Sequence, residues 1–149
     1  VNDLFRGLYD DTPKITKFEN VKHYQGIVFN GNIPVKSMCA HHHLPFIGKA
    51  HVAYIAGEEY LGLSKLNRIV EHYARRPQVQ EKLTMEIKDH LQELLGDGAS
   101  IAVSIEAKHM CSFCRGVQHD SVMKTTELTN GFKIDPSARN EFIHYINTL

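Results

Sequence analysis

Two short segments, Cys39-Ala40-His41-His42-His43 and His109-Met110-Cys111, constrain this chain more than any other feature. A cysteine and a histidine three apart can reach one metal ion, and a third ligand must then come from the distant segment. A fold that unites them has to lead the chain away, build most of its core, and bring a later element back to the same place. Cys39, His42 and Cys111 make a Cys₂His set, the soft sulfur and borderline nitrogen that zinc prefers; three protein ligands leave a fourth position open for chemistry. Any one of these side chains alone reads as buried and inert. Paired segments at the ends of expected strands point to a metal instead. Cys111-Ser112-Phe113-Cys114 offers a rival: with Cys114 as fourth ligand, the site closes as a structural Cys₃His zinc module without catalysis. A closed site leaves His41 and His109 idle, whereas an open one uses both for proton transfer near neutral pH. A third reading makes Cys114 a small buried hydrophobe.

The length of 149 residues fits a single domain, 1–149, able to bury a sizeable core. Lys+Arg 17 balances Asp+Glu 17, so no global field draws nucleic acid or an anionic membrane, and any anion must be held by a local cluster. Apolar runs are short and broken by charge, which argues against a transmembrane helix. The first residues lack a signal-peptide pattern. An odd cysteine count suits thiolate ligation in a reducing, cytoplasmic compartment. The sequence opens on Val1 rather than Met, so an N-terminal piece is expected to be missing or processed away.

Hydrophobic periodicity predicts the order of elements. Val1, Leu4, Phe5 and Leu8 have helical spacing up to the break at Asp10-Asp11-Thr12-Pro13. Lys14 to Asn20 is a weak strand candidate. Gln25 to Lys36 reads as a strand pair or one strand bulged at Asn30-Gly31-Asn32. Ile47 to Ala56 alternates, with Ala50, Val52, Tyr54 and Ala56 facing one way and His51, Ala53 and Ile55 the other. Ser64 is the expected N-cap of an amphipathic helix carrying Leu66, Ile69, Val70 and Tyr73. A second helix is expected from about Gln78 to Leu95, stopped by Gly96-Asp97-Gly98. Ser100 to Cys111 returns to strand period and places His109 and Cys111 on one strand face. Val117 to Thr129 is a last strand region, and Asp135-Pro136 starts a terminal helix. The sum is an α+β domain, β-β-α-α-β-β plus a helix, with a mostly antiparallel four-stranded sheet covered by helices on one side. Its open edges invite closure by neighbouring subunits.

Ser64, Lys65, Arg68 and Arg115 form a second constellation. The first two sit at a helix N-terminus, where free N–H groups favour a phosphate, and Arg68 lies one turn on. Each alone reads as an ordinary surface charge; beside a metal they suggest a polyphosphate pocket. Gln80 and Glu81 open the second helix, as an exposed start or as groups gripping a base edge. Arg75 and Arg76 read as solvent-facing.

The strings Ser37-Met38-Cys39-Ala40-His41-His42, Leu61 through Val70, Arg75 through Thr84, His109-Met110-Cys111 and Arg115-Gly116-Val117 closely resemble GTP cyclohydrolase I, over roughly residues 12 to 149. The resemblance implies a tunnelling fold whose sheets join between subunits into a barrel, in homodecamers of two face-to-face pentamers with interfacial active sites. It implies hydrolysis of GTP to 7,8-dihydroneopterin triphosphate and formate. It also implies that Cys39, His42 and Cys111 hold Zn²⁺ and that the activated water attacks C8 of guanine. His109 would protonate N7, and His41 would support proton transfer during ring opening. Glu81, with Gln80, would grip the guanine edge, and Ser64 would assist at the ribose. Lys65, Arg68 and Arg115 would bind the triphosphate. The chain departs from the family pattern at Ala40, usually Glu, and at His43, usually apolar. His43 is left as a surrogate polar group, a competing ligand or mere surface. The family's helical N-terminal region is expected to be largely absent.

Overall fold

The computed structural model describes residues 2–149; the part of the expected first helix that rests on Val1 lies outside them. The chain starts with a short helix α1 (Asn2–Phe5) and a 3-10 turn (Arg6–Leu8). Strands β1 (Lys17–Glu19), β2 (Ile27–Cys39), β3 (Pro45–Ile55) and β4 (Glu59–Leu61) follow. Helix α2 (Lys65–Ala74), the two-residue strand β5 (Pro77–Gln78) and helix α3 (Gln80–Leu95) form the middle. Strand β6 (Ile101–His109), helical turn α4 (Met110–Phe113), strand β7 (Met123–Leu128), α5 (Gly131–Ile134) and α6 (Pro136–Asn147) complete it.

The main sheet has the order β5-β2-β3-β6-β7, and β1 pairs with β4 in a separate ribbon. The four long strands are antiparallel neighbours, as their alternation predicts. The added members are a parallel edge at Met38–Cys39, supplied by β5, and the β4 ribbon. Pro77 and Gln78 therefore belong to a strand, and the second helix starts two residues later than its apolar pattern suggests.

β2 is one strand with a register shift between Asn30 and Ile33, where Asn32 takes a left-handed φ of 55°. The bulge is held from both sides. His51 Nδ1 accepts the Asn32 N–H at 3.2 Å, and Asn30 Nδ2 donates to Asn67 Oδ1 of α2 at 2.6 Å. Further along, Gly48 on β3 lies opposite Ala107 on β6, and a Cβ there would collide with the Glu106 carbonyl. Only glycine lets these two strands approach so closely beneath the site.

Both faces of the central strands are used. Ala50, Val52 and Tyr54 of β3 and Ile101, Val103 and Ile105 of β6 pack against Leu66, Ile69 and Val70 of α2 and Leu83, Ile87 and Leu91 of α3. Truncating one of these fully buried aliphatic side chains to Ala costs about 2–5 kcal/mol. The opposite parity, Ala53 and Ala102, meets Phe132 of α5 and Phe142 of α6. The two long helices thus lie on one side as expected. The terminal helices cover one end of the other side, where the residues of that parity in β3 and β6 become small and apolar. Asp135 caps α6, accepting from the Ser137 N–H at 2.9 Å, with Pro136 at the first helical position.

α2 runs beside β2 in the same direction. Asn67, near its start, bonds to Asn30, and the Arg76 carbonyl, just past its end, accepts from Ser37 Oγ at 3.3 Å. The start of α2 is therefore remote from Cys39, while its end leads directly into β5 beside Cys39. Arg76 is not solvent-facing: its guanidinium lies 5.1 Å from the Tyr73 ring centre and donates to the Gly7 and His72 carbonyls.

Candidate metal centre

Cys39 ends β2 and is buried. The chain reverses at once: the Cys39 N–H donates to the Leu44 carbonyl at 2.8 Å, and the His43 N–H donates to the Cys39 carbonyl at 2.9 Å. His43 adopts a φ of 53°, a left-handed conformation that histidine tolerates better than apolar side chains. It is exposed and outside the ligand group, so it serves the turn. The Ala40 N–H donates to the Gln78 carbonyl, fastening the loop to β5.

This reversal brings His42 back over Cys39, with Nδ1 3.9 Å from Sγ. Cys111 arrives from β6, but not on the strand. His109 is the last strand residue, and Cys111 sits in the four-residue helical turn α4. The predicted shared strand face is thus replaced by a turn that swings the thiol toward Cys39. The ligand atoms of Cys39, His42 and Cys111 all lie within 4.8 Å of one another.

The donor chemistry suits a soft or borderline divalent cation. Burial pushes the Cys111 thiol above its ordinary value, and the adjacent Cys39 adds to the push. Two sulfurs crowded in this way are relieved by a cation that takes both as thiolates. Cys114 does not join them. It is exposed and directs its thiol at Met110 Sδ, 3.9 Å away, so it is neither the buried hydrophobe nor the fourth ligand of a closed site.

Around the ligand group the predicted residues fall into two sets. His109 stacks on Phe46, with ring centres 4.5 Å apart and planes 12° apart, and its Nε2 lies 2.7 Å from Gln80 Oε1. Burial holds its pKa below the ordinary value, while the Glu81 carboxylate in the first turn of α3 pushes the other way. His41 is exposed next to His42, ring centres 6.4 Å apart. Arg115 is exposed, with Nη1 3.5 Å from the Cys111 carbonyl, and its charge favours the thiolate. These residues share one end of the sheet.

Ser64, Lys65 and Arg68 do not. They occupy the start of α2, ten residues or about 15 Å of helix from the end that meets Cys39. Ser64 occupies the cap position but keeps helical backbone angles and makes no side-chain capping bond. Arg68 borders a groove shared with Arg6, Asp10 and Asp11. Within one chain, the expected phosphate cluster is split between the two ends of α2.

Gln80 also differs from expectation. It is 1 % exposed, and its amide nitrogen is committed to the Ile105 and Met123 carbonyls, both at 3.1 Å, so it has no free edge for a base. Sequence contained the signal: Gln80, Leu83, Thr84, Ile87 and Leu91 form one helical stripe, and all five are buried. Glu81, one residue on and about 100° round the helix, is exposed.

The family model of GTP cyclohydrolase I matches residues 1–147. This chain belongs to the GTP cyclohydrolase I family. The GTP cyclohydrolase 1 of Flavobacterium johnsoniae is 47% identical over 148 residues, 98% of this chain and 66% of that protein. The enzyme of the same name from Aeromonas salmonicida is 46% identical over 145 residues, 96% of this chain and 66% of its own length. That of Thermoanaerobacter pseudethanolicus is 42% identical over 148 residues, 98% and 78% respectively. The chain thus spans 66% of the length of the first two relatives. Among the described residues, no helix is long and apolar enough to cross a membrane.

Proposed function

We propose that this protein is a zinc-dependent GTP cyclohydrolase I, converting GTP and water to 7,8-dihydroneopterin triphosphate and formate. The observation that carries the reading is the convergence of Cys39, His42 and Cys111 within 4.8 Å, beside a stacked and hydrogen-bonded His109, in a chain of this family. When bound there, zinc supplies a Lewis acid that makes water nucleophilic near neutral pH.

The protein's own residues then do the following. His109 carries the proton delivered to N7 of the guanine, so that C8 becomes electrophilic as water attacks. Its stack on Phe46 keeps the ring from turning away. His41, exposed beside His42, moves protons during ring opening and release of formate. Glu81 accepts hydrogen bonds from the guanine edge, its carboxylate free because Gln80 takes the buried position next to it. Arg115 binds phosphate at the metal end.

Ser64, Lys65 and Arg68 require a neighbour. Their remoteness from Cys39 supports active sites shared between subunits, each using the metal end of one chain and the α2 start of another, in a homodecamer of two pentamers whose sheets join into a barrel. The free edge of β7 and the largely unpaired outer edge of β2 are the surfaces such joining would use. Three free cysteines suit a cytoplasmic setting, and the product would feed pterin or 7-deazaguanine synthesis.

The test is direct. Zinc-loaded protein incubated with GTP should release formate and yield a pterin that fluoresces after oxidation. Absence of both, with one zinc bound per chain, would overturn the reading.

A further inference from the structure

The buried amide of Gln80 has one orientation open to it. Its nitrogen lies 3.1 Å from the Ile105 carbonyl, 3.1 Å from the Met123 carbonyl and 3.2 Å from Thr125 Oγ1. Carbonyl oxygens only accept, so the atom facing them must be the NH₂ group. Turning the amide over would set its oxygen against two carbonyl oxygens, acceptor facing acceptor with no proton between them. The oxygen therefore faces His109, 2.7 Å from Nε2, and an amide oxygen only accepts. His109 must donate.

From this geometry we infer that Gln80 is the positioning residue of the reaction, fixing the His109 hydrogen on Nε2 and with it the tautomer and rotation in which the ring is held. The neutral ring carries one hydrogen, and Gln80 assigns it to Nε2; the charged ring adds the second at Nδ1. Among the described residues Nδ1 has no hydrogen-bond partner in the chain. The stack on Phe46 fixes the plane of the ring, and the bond from Gln80 fixes its rotation within that plane. Gln80 is itself locked: its two carbonyl partners sit on adjacent strands, β6 and β7, and Thr84 links the Gln80 carbonyl at 2.8 Å to Thr125 Oγ1 at 2.7 Å.

The catalytic consequence rests on the proposed reaction, but the tautomer does not, and the experiment separates them. In zinc-loaded wild-type protein with ¹⁵N-labelled histidine, long-range proton–nitrogen correlation of His109 should show the Nε2–H form, with no GTP present. Gln80→Met removes the acceptor at similar volume. It should give a mixed or Nδ1–H signature and lower kcat by about 10- to 100-fold, the usual cost of losing a partner that orients a working histidine. Zinc content and the KM for GTP should stay within about twofold, because Gln80 touches neither metal nor substrate. Gln80→Glu retains an acceptor oxygen and, as the neutral acid, a donor, and should recover the Nε2–H signature. An Nδ1–H signature in the wild type, or a Gln80→Met protein that keeps both Nε2–H and kcat, would overturn the inference. Wild-type protein with the Nε2–H form but no turnover of GTP would overturn the proposed reaction and leave the positioning intact.

Discussion

At the Cys39 end of β2 a single chain closes three ligand atoms to within 4.8 Å, fastens the loop between them by backbone bonds, and holds His109 against both Phe46 and Gln80. At the Asn30 end, Ser64 makes no capping bond, Arg68 is exposed, and the helix is tied by an exposed side-chain bond from Asn30 to Asn67. The contrast is between chemistry that must be accurate and binding that can be completed on assembly. Metal ligands and a proton carrier have to hold their geometry before substrate arrives, and burial among strands provides that. Lysine and arginine side chains that stay in water until used avoid the cost of desolvation, and an exposed helix start allows that.

The largest effect should follow from breaking the built end. Cys111→Ala removes one of two thiolates and should abolish both bound metal and turnover, read as zinc per chain by atomic absorption and formate release. Cys114→Ala, one helical turn away, should change neither. Loss of zinc in the Cys114 variant would return it to the ligand set and close the open position.

The unbuilt end should give a smaller loss with a distinctive remedy. Lys65→Ala with Arg68→Ala removes the two charges proposed to bind the triphosphate and should lower kcat/KM by about 10²-fold or more. Zinc content should be untouched. Mixing that double variant with Cys111→Ala chains under conditions that exchange subunits should restore activity. With random assembly, about one shared site in four takes an intact half from each chain. No recovery in verified mixed oligomers would mean that each chain supplies its own phosphate ligands.

Why one end was more legible than the other follows from what a linear pattern encodes. The two faces of Ile47 to Ala56, the Leu66–Ile69–Val70 stripe and the bulge at Asn30-Gly31-Asn32 are local consequences of period and turn chemistry, and the structure follows them. Cys-x₂-His spacing likewise survives, because one reversal fixes it. The turn at Met110–Phe113 was not legible: a four-residue helix has no periodicity, and its formation depends on contacts with β3 and β6. Nor could spacing reveal that Ser64 and Arg68 point away from Cys39. The direction of α2 along β2 is decided by core packing, which nothing in the helix sequence itself records. Gln80 stood in the buried stripe all along. Its polarity drew attention to substrate, whereas its position, three residues before Leu83 and four before Thr84, argued for the interior.

The subtlest effect concerns how the Asn30 end is held, and it is set by pH. His51 is 1 % exposed and accepts the Asn32 N–H at Nδ1, which requires that nitrogen to be unprotonated. Burial holds its pKa below 6.5; Glu106 opposes that shift, while Lys49 and Lys124 reinforce it. The sign follows: above pH 6.5 neither folded nor unfolded chain is protonated at His51, and its full contribution is present. As pH falls through 6.5, the unfolded chain takes up the proton first, so stability declines toward the lower folded value. His72, His90 and His109 are shifted the same way by burial, so the acid slope is shared. His51→Gln keeps an acceptor for Asn32 but cannot titrate. The drop in unfolding midpoint between pH 7.5 and 5.5 should shrink without vanishing, and the protection of the Asn32 amide relative to its intrinsic exchange rate should no longer fall at the lower pH. Zinc content measured at pH 7.5, set at the other end of the strand, should be the same in both proteins. An unchanged slope and unchanged Asn32 exchange would show that the bulge is held by strand pairing alone, and that the two ends of β2 differ in exposure but not in how firmly their backbones are fixed.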